Sequence, residues 1–147
     1  MSYSFEIFIT GVTPAQAIRL FDLDVEEGHE SYEVPIELPT QGGYYVFYAG
    51  RTREQRSEIL FESIGMSLET YASCTRSMGH VGEHITTLVY NALHNTVSDF
   101  VVTSQFEKVI VMRKNGKVIV NSEAGSMGIL TFKIFDMPHQ FCELGFF

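Results

Sequence analysis

Two runs, Lys108-Val109-Ile110-Val111-Met112-Arg113-Lys114 and Lys117-Val118-Ile119-Val120-Asn121, flank the dipeptide Asn115-Gly116. Asn and Gly tolerate positive φ at both central positions, as a type I′ turn needs, so this stretch is a two-residue hairpin with its register set by the turn. The chain is therefore obliged to build a sheet, and the other segments can be read by how they extend or cover it.

Tyr3 to Ile9 alternates, with Tyr3, Phe5, Ile7 and Ile9 on one side and Phe8 on the other, the pattern of a strand. Tyr32, Val34, Ile36 and Leu38 alternate with Glu33, Pro35 and Glu37; Pro35 lacks a ladder donor, which puts this strand at a sheet edge with one acidic face. Gly42-Gly43 turns the chain into the aromatic strand Tyr44 to Ala49, giving a second hairpin. Further strands are read at Asp99–Thr103 and Ile129–Phe135.

Three helices are expected. Thr13-Pro14 starts a short one over about 14–22 that buries Ala17, Ile18 and Phe21. Thr52 with Gln55 in the capping-box position opens a second, with Ile59, Leu60 and Ile64 apolar and Gly65 as the stop. The third spans Gly79 to Val97. At 100° per residue Val81, Ile85, Leu88, Val89, Ala92 and Leu93 form its apolar stripe, opposite His80, Glu83, His84, Thr87, Asn91, His94 and Asn95. That polar side carries one charge besides its histidines and suits hydrogen bonding. Residues 66–78 read equally as strand, loop or helix, and the apolar tail from Met137 to Phe147 is expected to pack on the sheet or on another chain.

At 147 residues, with 45% hydrophobic content, one α+β domain over 1–147 follows: a mostly antiparallel sheet of five to seven strands with two to three helices packed on one face. No repeat or linker divides it. No stretch has signal-peptide or membrane-span length, so a cytoplasmic protein is expected. Cys74 and Cys142 have no metal-type spacing and read as reduced thiols.

The net charge of −8 is localised. Asp22, Asp24, Glu26, Glu27, Glu30, Glu33 and Glu37 fall in sixteen residues without a Lys or Arg, and elsewhere acids and bases nearly cancel. Such a field repels nucleic acid and anionic membranes and attracts cationic protein surfaces. The partner-binding candidates are Asp24, Glu26, Glu27, Glu30, Tyr32, Glu33, Glu37 and Tyr45, the tyrosines supplying amphipathic contacts of the kind common at interfaces. Lys108, Arg113, Lys114 and Lys117 ring the hairpin at what reads as an exposed end.

His80-Val81-Gly82-Glu83-His84 matches H-x-x-E-H and so resembles the inverted zinc peptidases, in which two histidines hold zinc and the Glu serves as base. Against it, Gly79 and Gly82 loosen the helix, no second motif supplies a third ligand, and the chain is much shorter than those peptidases. Cys74 matches no cysteine-hydrolase pattern, and Gly125-Ser126-Met127-Gly128 reads as a turn rather than a phosphate loop.

In size, single-domain build and local acidity the chain resembles the small immunity proteins by which bacteria neutralise toxins, a compositional likeness that assigns no residues. The expected function is an acidic protein-binding module masking a basic surface of a toxin or enzyme, without a cofactor, catalytic residues or metal, either alone or as a homodimer. The alternatives are a small zinc-dependent hydrolase using His80, Glu83 and His84, and a small-ligand or oligomeric regulatory domain.

Overall fold

A computed structural model of the chain describes residues 3–37, 43–76, 82–121, 138 and 140–142. The elements follow the order β1 (Tyr3–Ile9), α1 (Pro14–Ile18) continued by a 3₁₀ turn (Arg19–Phe21), β2 (Tyr32–Glu37), β3 (Tyr44–Arg51), α2 (Glu54–Ile64), β4 (Thr70–Arg76), α3 (Gly82–Asn95), β5 (Phe100–Ser104), β6 (Lys108–Lys114), β7 (Lys117–Asn121) and β8 (Gln140–Cys142). The eight strands among the described residues join one sheet in the order β2-β3-β4-β1-β5-β6-β7-β8. Every pairing is antiparallel except β7 with β8, which is parallel. The α+β class and the mostly antiparallel sheet are as expected, with seven antiparallel strands and the short parallel β8 among the described residues.

Two register rows explain the layers. Tyr32, Ala49, Ala72, Ile7, Val102, Val111 and Val120 stand opposite one another on successive strands, and all are buried on one face. That face receives α1, the 3₁₀ turn and α3 through Ala17, Ile18, Phe21, Ile85, Leu88, Val89 and Ala92. Tyr71, Phe8, Val101, Met112 and Ile119 form the opposite row, and α2 covers them with Leu60. The expectation that the helices share one face thus holds for α1 and α3 and is corrected for α2. Each buried Leu, Ile or Phe contributes roughly 1.5–3 kcal/mol by leaving water, so both faces are needed to hold the sheet.

The segment 66–78, ambiguous in sequence, supplies β4 at its centre, between β1 and β3. A bulge separates Val102 opposite Val111 from Thr103 opposite Val109. Ile110 is the inserted residue, and with Val111 it joins the helix-covered cluster while Val109 and Met112 join the other. Asn115 (φ 52°) and Gly116 (φ 78°) make the expected turn, and both backbone N–H groups donate to the Asp99 carboxylate.

The caps are partly as read. Thr13 accepts from the Gln16 N–H at 3.1 Å while the Gln16 side chain accepts from the Thr13 N–H at 2.8 Å, a complete capping box. Thr52 does not cap α2: the helix begins at Glu54 with Arg53 as N-cap, one residue too late, and the Thr52 hydroxyl is buried without a partner. Ile59, expected in the apolar stripe, is exposed.

The basic residues of the hairpin are also reassigned. Adjacent residues on a strand point to opposite faces, so Arg113 and Lys114 reach the C-termini of different helices. Arg113, buried on the α3 side, donates to the carbonyls of Leu93 (2.7 Å), Thr96 (2.9 Å) and Ser98 (3.2 Å). Lys114 Nζ donates to the Ile64 carbonyl at 2.7 Å, closing α2. Cations at helix C-termini oppose the negative end of the dipole.

Candidate functional site

The acidic stretch leaves the 3₁₀ turn through Asp22, held at φ 61°, loops over residues 23–31, and becomes the edge strand β2. Asp22, Asp24, Glu26, Glu27, Glu30, Glu33 and Glu37 are all exposed. Among the described residues a single ion pair forms in this stretch, Arg19 Nη1 to Glu27 at 2.8 Å, and the second Arg19 nitrogen donates to the Val25 carbonyl at 2.6 Å. Glu27 therefore clips its own loop. Asp24, Glu26, Glu30, Glu33 and Glu37 keep their carboxylates unengaged by described side chains and carry the field.

Tyr32, a sequence candidate for partner contact, is corrected: it is 9% exposed and belongs to the core. Its hydroxyl donates to the Glu26 carbonyl and accepts from the His29 N–H. The ring anchors the loop to the sheet from below. Tyr45, another sequence candidate, is half-buried. It lies on the helix-covered face, its ring edge-on to His84 at 4.5 Å, and its hydroxyl accepts from Arg76 at 3.0 Å.

The tyrosines beside the acids are Tyr44 and Tyr48. In the β2–β3 register Glu37 stands opposite Tyr44 and Glu33 opposite Tyr48, with Pro35 opposite Val46 between them. These residues share the face away from α1 and α3. Tyr44 is 51% exposed, and Tyr48 stacks on Tyr71 at 5.5 Å, where the aromatic row continues through Phe8 and Phe106 to the Arg56 guanidinium. Burial, with Tyr48 beside it, pushes the Tyr71 hydroxyl up to about 12. Two carboxylate–tyrosine pairs thus sit four residues apart on an edge strand, roughly 13 Å at strand rise. The signal was in the sequence: strand parity assigns Tyr44 and Tyr48 to the side of Glu33 and Glu37 once the hairpin register is counted.

The remaining candidates separate. His84 rests edge-on against Tyr45 and Phe47, inside the layer between α3 and β3. His80 and the Glu83 side chain lie outside the described residues, as do Gly125 to Gly128 and the expected strand at 129–135. No group of three or more His, Cys, Asp or Glu among the described residues is placed to hold a metal ion. Cys74 is a free thiol buried in the core, and burial pushes it up to about 12. A thiol so protonated is a poor nucleophile. Glu6, the one buried acid among the described residues, accepts from Ser4, Thr103 and the Phe106 N–H, a satisfied structural site. No described helix is long and apolar enough to cross a membrane.

The polar side of α3 is spent partly inside the protein. Asn91, buried, donates to the Leu20 carbonyl and to Asp22, both at 2.9 Å, and accepts from Asn95 at 3.0 Å. No family model, curated protein or solved structure matches the chain.

Proposed function

We propose that this chain is a protein-binding module whose acidic hairpin face masks a cationic surface on a partner, with immunity-type inhibition of a toxin or enzyme as the form that function takes. The observation that carries the reading is the pairing of Glu33 with Tyr48 and Glu37 with Tyr44 on an exposed edge strand, beside a loop of uncompensated carboxylates. A carboxylate next to an aromatic ring receives a Lys or Arg through both an ion pair and a cation–π contact. The same strand resists ordinary sheet extension, because Pro35 offers no donor and charged side chains flank it. Recognition then rests on side chains, and the field of the loop steers encounter.

The test is capture of partners from the native host at low salt, followed by affinity measurements on the purified pair across a salt series. Glu33→Lys with Glu37→Lys is expected to weaken binding at least tenfold, about 1.4 kcal/mol, and to flatten its salt dependence. Glu27→Gln, which removes the clip to Arg19 and alters the contact from the Thr13 hydroxyl, should change affinity by much less. An association indifferent to salt and to the double reversal would refute the reading.

A further inference from the structure

Where the 3₁₀ turn meets the C-terminal half of α3, the surface opens into a groove of about 580 Å³, within the size range of small-molecule sites. Gly11, Gln16, Asp22, Asn91, His94 and Asn95 contribute to its walls. It lies on the helix side of the sheet, apart from the Glu33–Tyr48 and Glu37–Tyr44 pairs, and does not depend on the protein-binding reading.

Its hydrogen-bonding groups define a ligand class. Asn91 forms the floor and is satisfied internally, donating to Leu20 and Asp22 and accepting from Asn95. That network fixes the two groups above it. Asp22 uses one carboxylate oxygen on Asn91, leaving the other as an acceptor; Asn95 uses one amide hydrogen on Asn91, leaving its carbonyl oxygen and second hydrogen. Gln16 spends its carbonyl oxygen on the Thr13 N–H and keeps its amide hydrogens. The walls therefore offer both acceptors and donors. The cation at the groove, Arg19, is taken up by Glu27 and the Val25 carbonyl, and Arg113 behind it by three carbonyls. Arg19 thus already carries its counter-ion, and Arg113 is buried. Val12, Leu20 and Val97 supply apolar wall between the polar groups, and the His94 ring is held against Tyr90 at 4.3 Å.

We infer that this groove binds a neutral polyhydroxy compound, a mono- or disaccharide. Each sugar hydroxyl both donates and accepts, matching carboxamide and carboxylate groups set side by side, while its C–H faces lie on the apolar wall and imidazole. A phosphate or carboxylate ligand would meet the Asp22 carboxylate and an Arg19 already paired with Glu27.

The experiment is a two-dimensional amide NMR titration of the full chain with the methyl glycosides of glucose, mannose, galactose and N-acetylglucosamine, and separately with inorganic phosphate. At least one glycoside is expected to shift the side-chain amides of Asn91 and Asn95 and the Gly11 amide saturably, with phosphate leaving them unmoved. Asn95→Ala or Asp22→Gly is expected to weaken that binding at least fivefold; glycine suits the Asp22 backbone at φ 61°, so this variant keeps the turn. Glu30→Gln, on the acidic loop, should leave it unchanged. The inference is overturned if no glycoside moves these signals, if phosphate does, or if both groove variants bind as the parent does.

Discussion

Arg113→Met should destabilise the protein by about 3 kcal/mol, and the figure can be built from its contacts. The guanidinium donates to three carbonyls at the end of α3. The Leu93 carbonyl is buried with it; losing its donor strands an acceptor, at a cost of roughly 1–3 kcal/mol. Thr96 and Ser98 border the groove, where water can replace the lost bonds, so each adds at most about 1 kcal/mol. The lost cation at a helix C-terminus adds about 0.3–1 kcal/mol. Against these stands the desolvation that burial imposes on the charge; the same burial moves the Arg113 pKa down, opposed by Asp99. Methionine keeps much of the aliphatic stem but loses the guanidinium carbon that lies 5.3 Å from the Phe100 ring centre, a cation–π contact of about 0.5–1 kcal/mol. Urea unfolding should show the loss as a lower midpoint at unchanged slope, and thermal melting as a fall of about 9 °C at roughly 3 °C per kcal/mol. Arg113→Lys keeps the charge but cannot fork across the carbonyls and should lose about half as much. If Arg113→Met unfolds within about 0.5 kcal/mol of the parent, a threshold below one net hydrogen bond, the capping argument fails.

Three further outcomes are expected. Cys74 should resist thiol reagents in the native protein at pH 8 and react only on unfolding, read by mass spectrometry of its peptide; fast native labelling at Cys74 would contradict its burial. Glu69 is partly desolvated, which pushes its pKa up, but the Gly11 N–H, the Thr10 hydroxyl and Arg51 prevail and hold it below its ordinary 4.5. Because the folded value is the lower one, its stabilisation is present above the unfolded value and is lost as pH falls through the folded value, so Glu69→Gln should flatten the acid limb of a stability-versus-pH curve below about pH 5. Tyr32→Phe keeps the buried ring but removes the hydroxyl bonds to Glu26 and His29; it should cost about 1 kcal/mol and speed amide exchange at His29, and unchanged exchange there would refute the anchoring role.

Much of the local structure was legible before the fold. The β1 alternation, the Asn115-Gly116 turn, the Thr13 cap and the stripe Ile85-Leu88-Val89-Ala92 all follow from residues within one turn or one strand of each other. The same local reading failed where a one-residue shift matters: Thr52 looks like a cap, yet α2 starts one residue later and its first N–H groups pass it by. The acidic stretch was visible as charge. Which tyrosines accompany it was not, until the hairpin register set Tyr44 and Tyr48 beside the acids and turned Tyr32 and Tyr45 inward.

By itself, then, the sequence determined most of the described elements and the apolar sides of β1, α1 and α3, because hydrophobic period, turn residues and caps act over a few residues. Tertiary structure alone decided which face each helix covers, where Arg113 and Lys114 spend their charges, that 70–76 is a central strand, and that Asn91 joins Asp22 on the floor of a groove. Those outcomes depend on strand order and crossovers between residues tens of positions apart, and no short-range pattern encodes such distances.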